Sequence, residues 1–181
     1  MALKPTVYKF KISLSDLNRS HFDALNLTLA KHPSENDERM MTRLLAYCIN
    51  AQAQLDFGAG LSEVDDPAIS VTTLDDQLAL WIDVGEPAVD RIKKATRKAQ
   101  QTKVYSFNSK SDVWWAQGEA EFNRLDADIY RFDWNEIQTL AGMLERTMDF
   151  SVTLSGNSAY IATAKGECEV HWNVLQEKAH G

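Results

Sequence analysis

The sequence predicts a mixed α/β domain, and three observations carry that expectation. Tyr8, Phe10 and Ile12 alternate with Lys9 and Lys11, the period-two pattern of a half-buried strand. Met41, Leu44, Leu45, Cys48 and Ile49 recur at the spacing of a buried helical stripe. Strand-like and helix-like segments then alternate along the chain to its end. No internal repeat, low-complexity tract or Pro/Gly/Ser-rich linker interrupts the 181 residues, so one domain over 1–181 is expected.

In chain order, Asp16–Arg19 is turn-like and Leu25, Leu27 and Leu29 form a second alternating strand, pairing antiparallel with the first. Pro33 and Ser34 open the first helix, with Ser34 as N-cap and Asp37 as its capping partner. That helix is expected to run to about Ala53 and to be ended by Gly58 and Gly60. Pro67–Leu74 and Leu78–Val84 read as a hairpin turning at Asp75-Asp76. Pro87 opens a second helix as its first residue, burying Val89, Ile92, Ala95, Thr96 and Ala99. A strand at Lys103–Phe107, a short helix after Ser111, a strand at Asp128–Phe132 and a helix from Asp133 follow. Three closing strands lie near 149–154, 159–164 and 168–175.

Composition narrows the function classes. The net charge of −7 disfavours broad polyanion binding and leaves room for a local basic groove. Cys48 and Cys168 are far apart and outside any CxxC, which points to reduced thiols in the cytoplasm. No apolar run has the length of a membrane span. His21, His32, His171 and His180 lack metal-ligand spacing, and there is no GxSxG, P-loop or dinucleotide fingerprint. Trp114-Trp115 is read first as packing and second as a stacking platform for bases.

The remaining signal is acidic. A two-residue turn at Asp75-Asp76 sets Asp66 opposite Gly85 and diagonal to Asp83. Diagonal neighbours stand about 7–8 Å apart, a separation at which two carboxylates can share a divalent cation. Asp83 lies in the apolar run from Leu78 to Val84, where a carboxylate is costly without compensation. A cation, a salt bridge or an exposed strand end would each meet that cost. Glu38 falls on the core-facing stripe of the first helix, within about 20° of Leu45 at 100° per residue. It is either a third ligand or a first-turn acid favoured by the helix dipole. Glu86 either approaches the same site or caps the next helix.

Two stretches carry a family resemblance. His32-Pro33-Ser34-Glu35, Asp37 to Met41 and Arg43 to Ala46 form the first, and Trp81-Ile82-Asp83-Val84-Gly85-Glu86-Pro87 the second. Together they resemble the bacterial YaeQ family over nearly the whole chain. That resemblance implies a PD-(D/E)xK nuclease-like core, ordered helix, strand meander, helix, strand, with additional C-terminal strands. It implies Glu38, Asp66 and Asp83 as ligands of Mg²⁺ or Mn²⁺. The lysine expected two residues after the last acid is Gly85 here. Its role as a cation at the phosphate is either absent or falls to the next helix, with Arg91 and Lys94 as candidates beside the plainer reading of that basic run as a solvated face. The expected activity is phosphodiester hydrolysis on nucleic acid. The alternative is a catalytically inactive nuclease-like module that binds nucleic acid or a protein.

Overall fold

The computed structural model describes residues 4–58 and 65–178. Among these residues one ten-stranded mixed sheet is flanked by four helices. The first hairpin, β1 (Thr6–Asp16) and β2 (His21–Lys31), is longer than its apolar alternation predicts. Asp16 sets its turn, because Oδ1 accepts from the backbone N–H groups of Asn18 and Arg19 at 3.0 and 3.2 Å. α1 (Asp37–Ile49) follows. Its cap is Asn36 rather than Ser34: Asn36 Oδ1 accepts from the Arg39 N–H at 2.8 Å, whereas Ser34 is engaged with His32. The helix also stops at Ile49 rather than Ala53, leaving room for a short strand the sequence pattern conceals, β3 (Leu55–Phe57). Of the two expected helix stops, Gly60 lies outside the described residues.

β4 (Ile69–Thr72) and β5 (Leu78–Val84) form the expected hairpin and extend β3 into an antiparallel meander. Ile69 pairs with Ile82 and Val71 with Leu80, which is the register a two-residue turn would set. The chain reaches it differently. Thr73 and Gln77 close a longer loop containing Asp76 at φ 61°, and a bulge shifts the register between Val71 and Thr72. The two irregularities offset one another.

α2 (Val89–Lys98) begins after Ala88, so Pro87 precedes the N-cap instead of starting the helix. β6 (Gln101–Ser106) is parallel to β5, and β7 (Ala127–Phe132) is parallel to β6, with α3 (Ser111–Phe122) between them. α4 (Trp134–Ala141), β8 (Thr147–Ser155), β9 (Ser158–Thr163) and β10 (Gly166–Gln176) complete the chain. β10 pairs with both β9 and β7 and so joins the two halves of the sheet.

Two apolar clusters flank the strands that carry the site. Leu80, Ile82 and Val84 join Met41, Leu44 and Leu45 of α1 in the larger core. Ile92 of α2 packs with Val104, Phe122, Ala127 and Ile129 in the smaller one. Trp114 and Trp115 lie against Phe122 at ring distances of 4.8 and 5.7 Å, which makes them packing residues. Among the described residues no helix is long and apolar enough to cross a membrane.

Candidate functional site

Strand parity decides what surrounds Asp83. Because Leu80, Ile82 and Val84 face the α1 side, Trp81 and Asp83 face the side of α2. Asp83 is only 3% exposed there, and donors surround it. Arg91 of α2 approaches with Nε to Oδ2 at 2.8 Å and Nη2 to Oδ1 at 3.1 Å, while Trp81 Nε1 donates to Oδ1 at 3.0 Å. The same Arg91 Nη2 reaches the backbone carbonyl of Asp66 at 2.9 Å. Arg91 therefore ties the strand carrying Asp83 to the segment carrying Asp66, and its guanidinium lies 5.7 Å from the Trp81 ring centroid.

Asp66, Asp83, Gly85, Glu86 and Arg91 line a cleft of about 440 Å³, together with Glu35, Arg39 and Asn108. Glu38 is not among its lining residues. Glu38 is half-buried in the first turn of α1, although its neighbours Asn36 and Arg39 do line the cleft. Lys94 lies outside the cleft too; it lines a smaller neighbouring cavity with Asp65, Trp81, Arg91 and Lys98. Among the described residues, no group of three or more His, Cys, Asp or Glu side chains is placed to hold a metal ion.

Glu35 is the acid that the pattern search passed over. It is buried at 4% exposure and takes Arg43 in two bonds, Nε to Oε2 at 2.9 Å and Nη2 to Oε1 at 2.7 Å. Arg39 also pairs with it. Burial pushes the Arg43 pKa down, Glu35 opposes that shift, and the nearby Arg39 charge adds to it. The available signal was the spacing Glu35, Arg39, Arg43: the two arginines stand one turn apart on α1, and Glu35 lies just ahead of its Asn36 cap.

Gly85 explains the missing lysine in backbone terms. Its φ is +112°, a conformation that side chains with a Cβ rarely adopt, and its N–H donates to the Tyr105 carbonyl at 2.9 Å. The space beside it is open, so conformation rather than crowding selects glycine. Glu86 then folds back over the end of β6, where Oε2 accepts from the N–H groups of Phe107 and Asn108 at 3.0 and 3.3 Å.

Burial pushes the Glu86 carboxyl pKa up, although the two backbone donors pull the other way. An acid with a raised folded-state pKa gives stability below its unfolded pKa and loses it as pH rises through the folded value. Glu86→Gln removes that loss while keeping an acceptor for the two N–H groups. Its Tm relative to wild type should therefore be higher at pH 7 than at pH 4, as thermal denaturation at the two pH values will measure.

The family described as YaeQ protein matches residues 1–172. The chain belongs to the YaeQ family. The YaeQ protein of Salmonella typhi is 35% identical over 181 residues, covering 98% of this chain and 99% of the relative. That of Escherichia coli K12 is 33% identical over 179 residues, with 98% and 99% covered. The crystal structure of the YaeQ protein from Xanthomonas axonopodis pv. citri superposes with a TM-score of 0.93 at 30% identity, covering 96% of this chain and 99% of that one. The Pseudomonas syringae YaeQ structure gives 0.91 at 34% identity, covering 96% and 97%. The mixed sheet and its flanking helices are thus the architecture of the YaeQ family.

Proposed function

We propose that the cleft at the end of β5 is a metal-dependent phosphodiester-hydrolysing site acting on nucleic acid in the cytoplasm. The observation that carries this reading is the convergence of Asp66, Asp83 and Arg91 on one cleft, with Arg91 bonded to both acidic segments. The order α1, meander β3-β4-β5, α2, β6 supports it, because a nuclease-like core has that sequence of elements.

The donor chemistry suits Mg²⁺ or Mn²⁺. Asp66 and Asp83 offer hard carboxylate oxygens, and magnesium sites commonly use one or two carboxylates with water and substrate phosphate completing the octahedron. Asp83 already requires positive charge beside it, which Arg91 supplies here. A bound ion would lower the pKa of water and offset charge at the phosphate. Asp66 and Asp83 would hold the ion. Arg91, released from Asp83, would present its planar fork to phosphate oxygens, with Lys94 adding charge from the adjoining cavity.

A second reading has its own observation. Glu35, Asp83 and Glu86 are each satisfied by protein donors, and Gly85 has no ammonium to offer, which favours a non-catalytic module binding nucleic acid or a protein. Mn²⁺-dependent cleavage of single- and double-stranded DNA and RNA, with Asp83→Asn as the control, separates the two.

A further inference from the structure

The charge of α2 is out of character with the rest of the chain. The protein carries −7 overall, yet Arg91, Lys93, Lys94, Arg97 and Lys98 all fall within this ten-residue helix, against one acid, Asp90. Two of these cations, Arg97 and Lys98, suit the negative end of the helix dipole. That effect fades within one turn and does not account for the others. Lys94 and Lys98 take part in no ion pair among the described residues.

Arg91, Lys94 and Lys98 do share a face. They line one cavity of about 220 Å³ with Trp81 and Asp65. Lys98 Nζ stands 5.9 Å from one Trp81 ring centroid, and Arg91 lies 5.7 Å from the same ring. Trp81 is itself only 4% exposed, so it anchors the two cations rather than offering a surface for base stacking. Arg91 also lines the cleft with Asp83, and the basic cavity therefore continues directly from the proposed phosphodiester site. From Arg91 to Lys98 the helix advances about 10 Å at 1.5 Å per residue, so the three cations are spread along the face rather than gathered at one point.

We propose that the Arg91–Lys94–Lys98 face of α2 binds the phosphate backbone of a single nucleic-acid strand and leads it into the cleft. This rests on the phosphodiester reading, which selects nucleic acid over other polyanions. Contact is to phosphates, without base readout, so binding is independent of sequence and strongly dependent on salt.

The experiment is fluorescence anisotropy with a labelled single-stranded oligonucleotide, in chelator to prevent cleavage, over a series of salt concentrations. Lys94→Gln/Lys98→Gln is compared with wild type and with Lys9→Gln/Lys11→Gln, which makes the same charge change on the distant strand β1. Single strands give a slope of about −0.7 per neutralised phosphate in log K against log salt. The α2 variant should therefore flatten the slope by about 1.4, and the β1 variant should leave it unchanged. Equal slopes in all three proteins, no binding by wild type, or displacement by poly-glutamate ahead of unlabelled oligonucleotide would overturn the proposal. A lysine-dependent slope in a protein that cleaves nothing would support the track and count against the hydrolytic reading. Cleavage with an unchanged slope would do the reverse.

Discussion

Glu35→Ala is expected to lower stability by about 3–5 kcal/mol, the cost of leaving one member of a buried ion pair alone. Glu35 and Arg43 are each 2% exposed at the side chain, so the arginine is left largely desolvated without its main partner. The Ala30 carbonyl, which accepts from Arg43 Nη2 at 3.1 Å, offsets only part of the loss. For a chain of this length each kcal/mol moves Tm by about 2–4 °C, giving a fall of roughly 6–20 °C. Glu35→Gln should recover little, because an amide fills the space without neutralising Arg43. Asp112→Ala is the contrast: Asp112 is 78% exposed where it meets Arg131, and its loss should cost less than about 1 kcal/mol. Equal Tm shifts for Glu35→Ala and Asp112→Ala would contradict the account of this pair.

The second large effect belongs to Arg91. Arg91→Ala strands Asp83 in an apolar strand with Trp81 Nε1 as its one remaining side-chain donor among the bonds described above. The expected loss is about 3 kcal/mol, at the low end of the range for broken buried pairs because Arg91 is 31% exposed at the side chain. Asp83→Asn in the same background removes the stranded charge and should restore part of the stability. In a double-mutant cycle by urea denaturation, the two losses should fall short of additivity by about 1–3 kcal/mol. Strict additivity would mean that the contact contributes nothing.

Much of this arrangement was legible before the structure. The carboxylate inside Leu78–Val84 had to be compensated, and a salt bridge was one of the stated ways; Arg91 provides it. Asp66 and Asp83 lie at one cleft because the hairpin register is the expected one. Glu38 shows where one-dimensional reasoning stops. A helical wheel sets directions around α1, but not which residues at its start reach the end of β5: Asn36 and Arg39 line the cleft and Glu38 does not. Which of them turn toward the cleft depends on tertiary packing. β3 was invisible for a related reason: three residues are too few to display a period. The Asn36 cap was missed because Ser34 and Asn36 are both good caps, and the side chain of Ser34 is taken by His32.

The central claim, that the cleft is a metal-dependent phosphodiester site, is tested most directly by Mn²⁺-dependent cleavage in wild type and Asp83→Asn. The substrates are single- and double-stranded DNA and RNA, followed from metal-free conditions through increasing Mn²⁺. The account predicts cleavage of at least one substrate by wild type that saturates with Mn²⁺ and disappears in Asp83→Asn. Folding of the variant, checked by its melting curve, excludes loss of structure as the cause. No cleavage by wild type at any Mn²⁺ concentration, or equal cleavage by folded Asp83→Asn, would contradict the claim.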